Sequence, residues 1–217
     1  MQFLDTSHGS DILGDLVDVI LDNRDYLSEV DGSIGDGDHG INMAKGFRLY
    51  SESIQGQSLS LAKAFTTLAN TLMGSIGGSM GPLYGSLFLG MGNASKDLDT
   101  LDARTFGDML SAGLESIQSI SDANVGDKCL LDTLVPAVMD YRHAVDDDDS
   151  FTSALQALRN GAERGCESTR ELEAKIGRAA RLGERSKGHL DAGAVSCCLL
   201  LVRLADSTER HLERAAA

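Results

Sequence analysis

Proline is nearly missing from this chain, with two in 217 residues. Pro-rich linkers, internal repeats and low-complexity tracts are absent too, so nothing in the sequence marks a domain boundary. A single helical domain over 1–217, with its core from about 10 to 212, is the expectation, since a chain of this length can bury one substantial core. Positive charge is also scarce: 19 Lys and Arg stand against 33 Asp and Glu, a formal net charge of -14. That balance repels nucleic-acid phosphates and anionic lipid, and a polyanionic ligand would need cations at its site. Four cysteines, Cys129, Cys166, Cys197 and Cys198, show no C-x-x-C spacing, and two are adjacent. They read as core thiols of a reducing compartment rather than a zinc knuckle or disulfide framework. Long apolar runs are lacking as well. The most apolar segment, 193–202, is too short to span a bilayer and is closed by Arg203. The first residues have no basic region followed by an apolar stretch, as a secretory signal would, so the expected location is the cytoplasm.

Period-two alternation is absent, whereas three-to-four spacing of apolar residues recurs along the chain. Ile12, Leu13, Leu16, Val17, Ile20 and Leu27 mark the first helical segment, over about 10–27. Seven others follow, near 39–53, 59–75, 82–94, 103–120, 128–144, 150–175 and 193–212. Leu61, Phe65, Leu68 and Leu72 show the pattern clearly. The fold class is therefore all-α, an antiparallel helical bundle or barrel. The acidic run Asp146–Asp149 precedes Ser150 and a new apolar period, so it reads as a solvated loop and negative helix entrance without chemistry.

Chemistry concentrates in 31–43, which carries Asp31, Asp36 and Asp38 among four glycines between two helical patterns. Gly35, Gly37 and Gly40 literally fit a dinucleotide fingerprint, but a helix precedes them and two aspartates occupy the loop. An EF-hand is excluded because its later ligand positions fall on Gly40 and Phe47. Two readings remain. In one, Asp31, Asp36 and Asp38 form a hard-cation site of the kind magnesium uses while holding substrate phosphates; in the other, Asp36 and Asp38 only cap the next helix. By charge counting, three aspartates and ADP contribute about -6 and two Mg²⁺ return about +4, so such a site is tolerable only with metal.

A second glycine-rich stretch, 74–81, stands before Pro82, a favoured first residue of a helix, and its amides could face an anion. A tight helix crossing is the equal alternative, and no Walker A lysine follows. Two further segments, 126–132 and 177–193, interrupt apolar helices with charge. Singly, Lys128, Arg178 and Arg185 fit surface ion-pair partners better than ligands, and His189 carries little weight.

Taken together, the segments Gly35-Asp-Gly-Asp-His-Gly-Ile-Asn42-Met, Gly77-Gly-Ser-Met-Gly-Pro-Leu-Tyr-Gly85, Gly126-Asp-Lys and Leu182-Gly-Glu-Arg-Ser-Lys-Gly-His189-x-Asp191-x-Gly193 stand in an order, from about Ser10 to about Leu204, that resembles the nucleotide-binding L subunit of dihydroxyacetone kinases and the equivalent C-terminal domain of the single-chain kinases. The resemblance implies an eight-helix antiparallel barrel with the nucleotide at one end. Asp31, Asp36 and Asp38 would hold two Mg²⁺ ions bridging the phosphates of ADP or ATP. His39, Gly40, Ile41 and Asn42 would lie against the nucleotide, Ser79 and Met80 at its phosphates, and Leu130, Arg178, Asp191, Ala192 and Gly193 would line the rest of the pocket. Met80, Cys129 and Ala192 depart from the family's usual Ser, Thr and Pro. The resemblance also implies partners: a separate K subunit that holds the small ketose, and a phosphohistidine protein of the phosphotransferase system, the M subunit, that rephosphorylates bound ADP. It leaves a homodimer open. No general base is expected on this chain, because phosphoryl transfer rests on positioning and charge neutralisation. Two other roles stay in view: an ATP-exchanging subunit acting on a related ketose such as erythrulose, and a nucleotide-sensing regulatory module without turnover.

Overall fold

The computed structural model describes residues 2–148 and 150–214. Among them are nine α-helices: α1 Gly9–Asp22, α2 Arg24–Ile34, α3 His39–Ser53, α4 Leu61–Ser75, α5 Met80–Ala94, α6 Ala103–Gln118, α7 Leu131–Asp146, α8 Phe151–Ser168 and α9 Ala192–Arg210. Two 3-10 segments, Thr6–His8 and Ala179–Ser186, and three short strands, β1 Gln2–Asp5, β2 Thr100–Leu101 and β3 Leu212–Arg214, complete the described chain. The all-α class read from the sequence is the class adopted. Helices α4 to α9 each pack on the next, and α9 returns against α1, which also meets α3 and α4. Long-range hydrogen bonds bring the starts of α3, α5, α7 and α9 together at one end.

The core is one continuous cluster of buried side chains. Phe65 stacks on Phe88 with centroids 5.7 Å apart, and Phe106 meets Phe151 edge-on at 5.3 Å. Burying each such ring contributes about 2–3 kcal/mol relative to leaving it in water. The apolar three-to-four pattern is the cause of this packing, since it places one face of each helix inward.

Four departures from the sequence-based expectations have local causes. The first expected segment breaks at Asn23, whose side-chain amide folds back onto the Val19 carbonyl at 2.8 Å and ends α1; the chain restarts as α2, so nine α-helices stand where eight segments were expected. Helix α2 then runs through Asp31 to Ile34, which puts Asp31 on a helix end rather than in a loop. Segment 128–130 is not helical, because Lys128 has φ 65°, outside the right-handed region. Helix α8 stops at Ser168 instead of near 175, because the Thr169 and Leu172 carbonyls turn away to meet Lys128. The sheet is antiparallel, ordered β2-β1-β3, with Leu4 opposite both Leu101 and Leu212. Its strands are too short for an alternating pattern to register. Within the acidic run, Asp146 ends α7, and Ser150 caps α8 by accepting the Ser153 N–H at 3.1 Å; Asp149 lies outside the described residues.

Candidate cation and anion site at the shared helix end

Asp31, Asp36 and Asp38 converge so that one carboxylate oxygen from each lies within 4.8 Å of the others. The turn that allows this passes through Gly37 at φ 76°, a left-handed conformation that glycine adopts without strain. Asp31 reaches back from the last turn of α2 and accepts the His39 amide at 3.3 Å. Asp38 occupies the cap position of α3 but makes no side-chain capping bond. Capping therefore does not account for Asp38, and the carboxylates remain directed at one another. Like charges at this spacing repel, and the arrangement is stable only with positive charge among them. Arg178 provides it here, its guanidinium contacting Asp36 and lying 3.9 Å from Asp38. That pairing is exposed, with side-chain accessibilities of 58%, 44% and 48% for Arg178, Asp36 and Asp38. Exposed pairs contribute about 1 kcal/mol or less, so a divalent cation can displace the guanidinium at small cost.

Around this acidic corner, the N-termini of four helices are tied together by long-range bonds. His39 in α3 hydrogen-bonds through Nε2 to Ser196 Oγ of α9 at 2.8 Å, and the Tyr84 hydroxyl of α5 meets the same Oγ at 2.6 Å. Tyr84 also donates to the Gly193 carbonyl at 3.2 Å, and Thr133 of α7 donates to the Ala194 carbonyl at 3.0 Å. Burial lowers the His39 imidazole to about 4, against an opposing pull from Asp31, so the ring is neutral near pH 7. The N-cap side chains of α3, α5 and α7 make no capping bond. Asp31 takes the first amide of α3, and the Asp132 and Thr133 amides of α7 donate to the Cys129 and Leu130 carbonyls, so the start of α5 is the one best placed to offer amides to an anion. Aligned helix dipoles add positive potential at the same place. Gly40 sets the crossing of α3 on α2: a Cβ there would overlap the Arg24 carbonyl and lie 2.7 Å from Ser28 Oγ.

Lys128 organises the opposite wall. Expected to be a surface charge, it is instead 1% exposed. Its ammonium donates to the carbonyls of Thr169 at 2.5 Å, His189 at 2.6 Å and Leu172 at 3.2 Å. Buried Asp132 closes the same turn by accepting the Gly126 amide at 2.5 Å and the Cys129 amide at 2.7 Å. Asp191 caps α9 by accepting the Ala194 amide at 2.8 Å, and burial pushes its carboxyl up to about 6. The Cys129 thiol is pushed up to about 12, chiefly by burial, which keeps it protonated and unfit as a nucleophile.

Each residue singled out from the sequence can now be placed. Asp31, Asp36, Asp38 and Arg178 meet directly, and His39 and Gly40 are buried at their base. Ile41 is 50% exposed and Asn42 half-buried on the first turn of α3. Ser79 is exposed at the start of α5, whereas Met80 packs part of its side chain on the core. Leu130 and Ala192 are buried, and Gly193 is half-buried, with Leu130 N 3.5 Å from where its Cβ would stand. Arg185 and His189 are exposed and are not drawn into the carboxylate cluster. Ser196, Tyr84 and Asp132 escaped sequence reasoning. A serine and a tyrosine inside apolar helices resemble ordinary core positions until their partners are known.

Fold and site together define a class: an all-α protein whose clustered carboxylates and helix starts gather at one end, outside the P-loop and Rossmann architectures. The chain belongs to the DAK2 domain family, which it matches over residues 33–206. It is 39% identical over 189 residues to the ADP-binding subunit DhaL of PEP-dependent dihydroxyacetone kinase 1 from Listeria innocua, covering 87% of this chain and 89% of that one. It is 38% identical to the ADP-binding subunit DhaL of the PTS-dependent dihydroxyacetone kinase of Lactococcus lactis, covering 88% and 92%. The solved dihydroxyacetone kinase of C. freundii superposes with a TM-score of 0.70 at 25% identity, over 91% of this chain and 34% of that larger one. No helix among the described residues is long and apolar enough to cross a membrane.

Proposed function

We propose that this chain is the ADP-binding, phosphoryl-donating subunit of a dihydroxyacetone kinase linked to the phosphotransferase system. The single observation that carries this reading is the meeting of three carboxylates with the starts of α3 and α5, whose N-cap side chains make no capping bond, at one end of the bundle. That donor set suits a divalent cation and a polyphosphate together and neither alone. The relatives that match over nearly their whole length are ADP-binding subunits of PEP- and PTS-dependent kinases, which favours ADP retained as a cofactor over free exchange with ATP.

Asp31, Asp36 and Asp38 would hold Mg²⁺, two ions by the charge count, and the metal would neutralise phosphate charge and polarise the transferring group. Everything else is the work of the chain itself. Amides in the first turns of α3 and α5 orient phosphate oxygens. Arg178 would hold a phosphate once Asp36 serves as a metal ligand, since a planar guanidinium binds phosphate well. Neutral His39 fixes the first turn of α3 against α9 and carries no charge that would compete for the aspartates. Neither Cys129 nor Tyr84 offers a nucleophile: the Cys129 thiol stays protonated, and the Tyr84 hydroxyl is held well above its ordinary value by burial. The acceptor hydroxyl and the base that takes its proton then belong to a partner subunit carrying the ketose, with a phosphohistidine protein restoring the donor.

Native mass spectrometry of the protein as purified tests the reading. Bound ADP and Mg²⁺, lost together on chelation, are the expected result. A protein that takes up neither ADP nor ATP at millimolar concentration with Mg²⁺ overturns it.

A further inference from the structure

A second group of metal-ligating side chains lies at the far end of the bundle. His8, Asp11 and His211 place one donor atom each within 4.8 Å of the others. Two independent features of the chain bring them together. β1 and β3 pair with Leu4 opposite Leu212, which draws the residues just after β1 and just before β3 onto one edge. Helices α1 and α9 pack side by side, so His8 and Asp11, at the start of α1, face His211, which follows the last turn of α9. The two imidazoles stack with centroids 4.3 Å apart and planes 29° off parallel, so one edge of each ring can point the same way. His8 Nδ1 lies 3.6 Å from Asp11 Oδ2.

We infer that His8, Asp11 and His211 form a second metal site, for a single Zn²⁺ ion, that staples the two ends of the chain. Donors around tetrahedral zinc stand about 3.3 Å apart, given Zn–N and Zn–O distances near 2.0–2.1 Å. The present donors lie within 4.8 Å, wider than that spacing, and His8 and Asp11, 32% and 68% exposed, stand at the surface where side-chain rotation can bring them closer. Two imidazoles and one carboxylate suit zinc, whereas the all-carboxylate corner at the other end suits magnesium. The neighbouring cation does not compete, because Arg210 is engaged by Asp15 on the next turn of α1. Exposure leaves the fourth position to water. The 19 residues of α9 separate this site from Asp191 by roughly 28 Å, so the two sites are spatially distinct.

Isothermal titration of the EDTA-treated full chain with Zn²⁺, in saturating Mg²⁺ and ADP to block the aspartate corner, gives the test. One equivalent of zinc should bind and raise Tm; His8→Gln and His211→Gln should each weaken it at least about tenfold, with ADP binding unchanged, as loss of one ligand in a three-residue site requires. Retention of the full zinc equivalent in both variants overturns the assignment. So does a wild-type chain that binds no zinc at about 100 μM. An Asp36→Asn background distinguishes zinc held at the aspartate corner, which would disappear there, from zinc held at the histidines, which would remain.

Discussion

The two ends of the bundle are built on opposite principles. At the far end, charges are matched within the chain and two helix starts are capped: Asp102 and Thr105 form a reciprocal capping box on α6, Ser150 caps α8, and Arg159 pairs with both Asp206 and Glu209. At the near end, three carboxylates crowd together, the N-cap side chains of three helices make no capping bond, and a single exposed guanidinium supplies the neighbouring positive charge. Apart from the His8, Asp11 and His211 group, the far end pairs its charges within the chain. The near end leaves them to be satisfied by something else, and unfinished electrostatics of this kind mark a binding surface better than any one residue does.

The contrast predicts which property each substitution moves. Phe106→Ala, which empties the far aromatic cluster, should cost about 3–5 kcal/mol of stability in chemical denaturation while leaving ADP affinity of the folded fraction unchanged. Asp36→Ala should do the reverse: Mg²⁺-dependent ADP affinity falls about 100-fold by calorimetry, circular dichroism is unchanged, and Tm holds or rises because one repelling carboxylate is gone. Lys128→Met should fail on both counts. Three buried carbonyls lose their donor at a cost of about 1–3 kcal/mol, and ADP binding weakens as the wall carrying Leu130 and Asp191 loosens. Asp102→Ala should remove about 1 kcal/mol through the lost cap, with nucleotide binding intact.

A further expected effect is in pH dependence. Asp191 has its carboxyl raised to about 6 in the fold, from an ordinary value of 3.8. The fold therefore prefers the protonated form, and this contribution is complete below about pH 4 and lost as pH rises through about 6. Asp191→Asn, which keeps a capping oxygen and carries no charge, should raise the apo-protein Tm at pH 7.5 and leave it unchanged at pH 4. A rise of equal size at both values would break the assignment.

Sequence patterns revealed the helices that bury a clear apolar face. Helix α3 runs over the residues expected of it, and α4 and α5 begin within two residues of their expected starts, because packing follows the same spacing that announces them. Helix α2 stayed hidden because 28–33 is mostly polar and small, and Asp31 was thus read into a loop. The carboxylate cluster was legible because three aspartates among glycines have few structural uses. The Lys128 wall was not: its three acceptors are backbone carbonyls, which no side-chain pattern encodes, and they come from 41, 44 and 61 residues further along.

Those separations govern the order of assembly. A turn at 128 that is complete only when 169, 172 and 189 have arrived closes long loops, whose entropy must be met before their contacts give any return. The nucleotide wall is thereby among the last parts of the molecule to form. A half-folded chain with most of its helices in place still lacks the wall, so retained ADP would report a finished protein rather than a merely helical one.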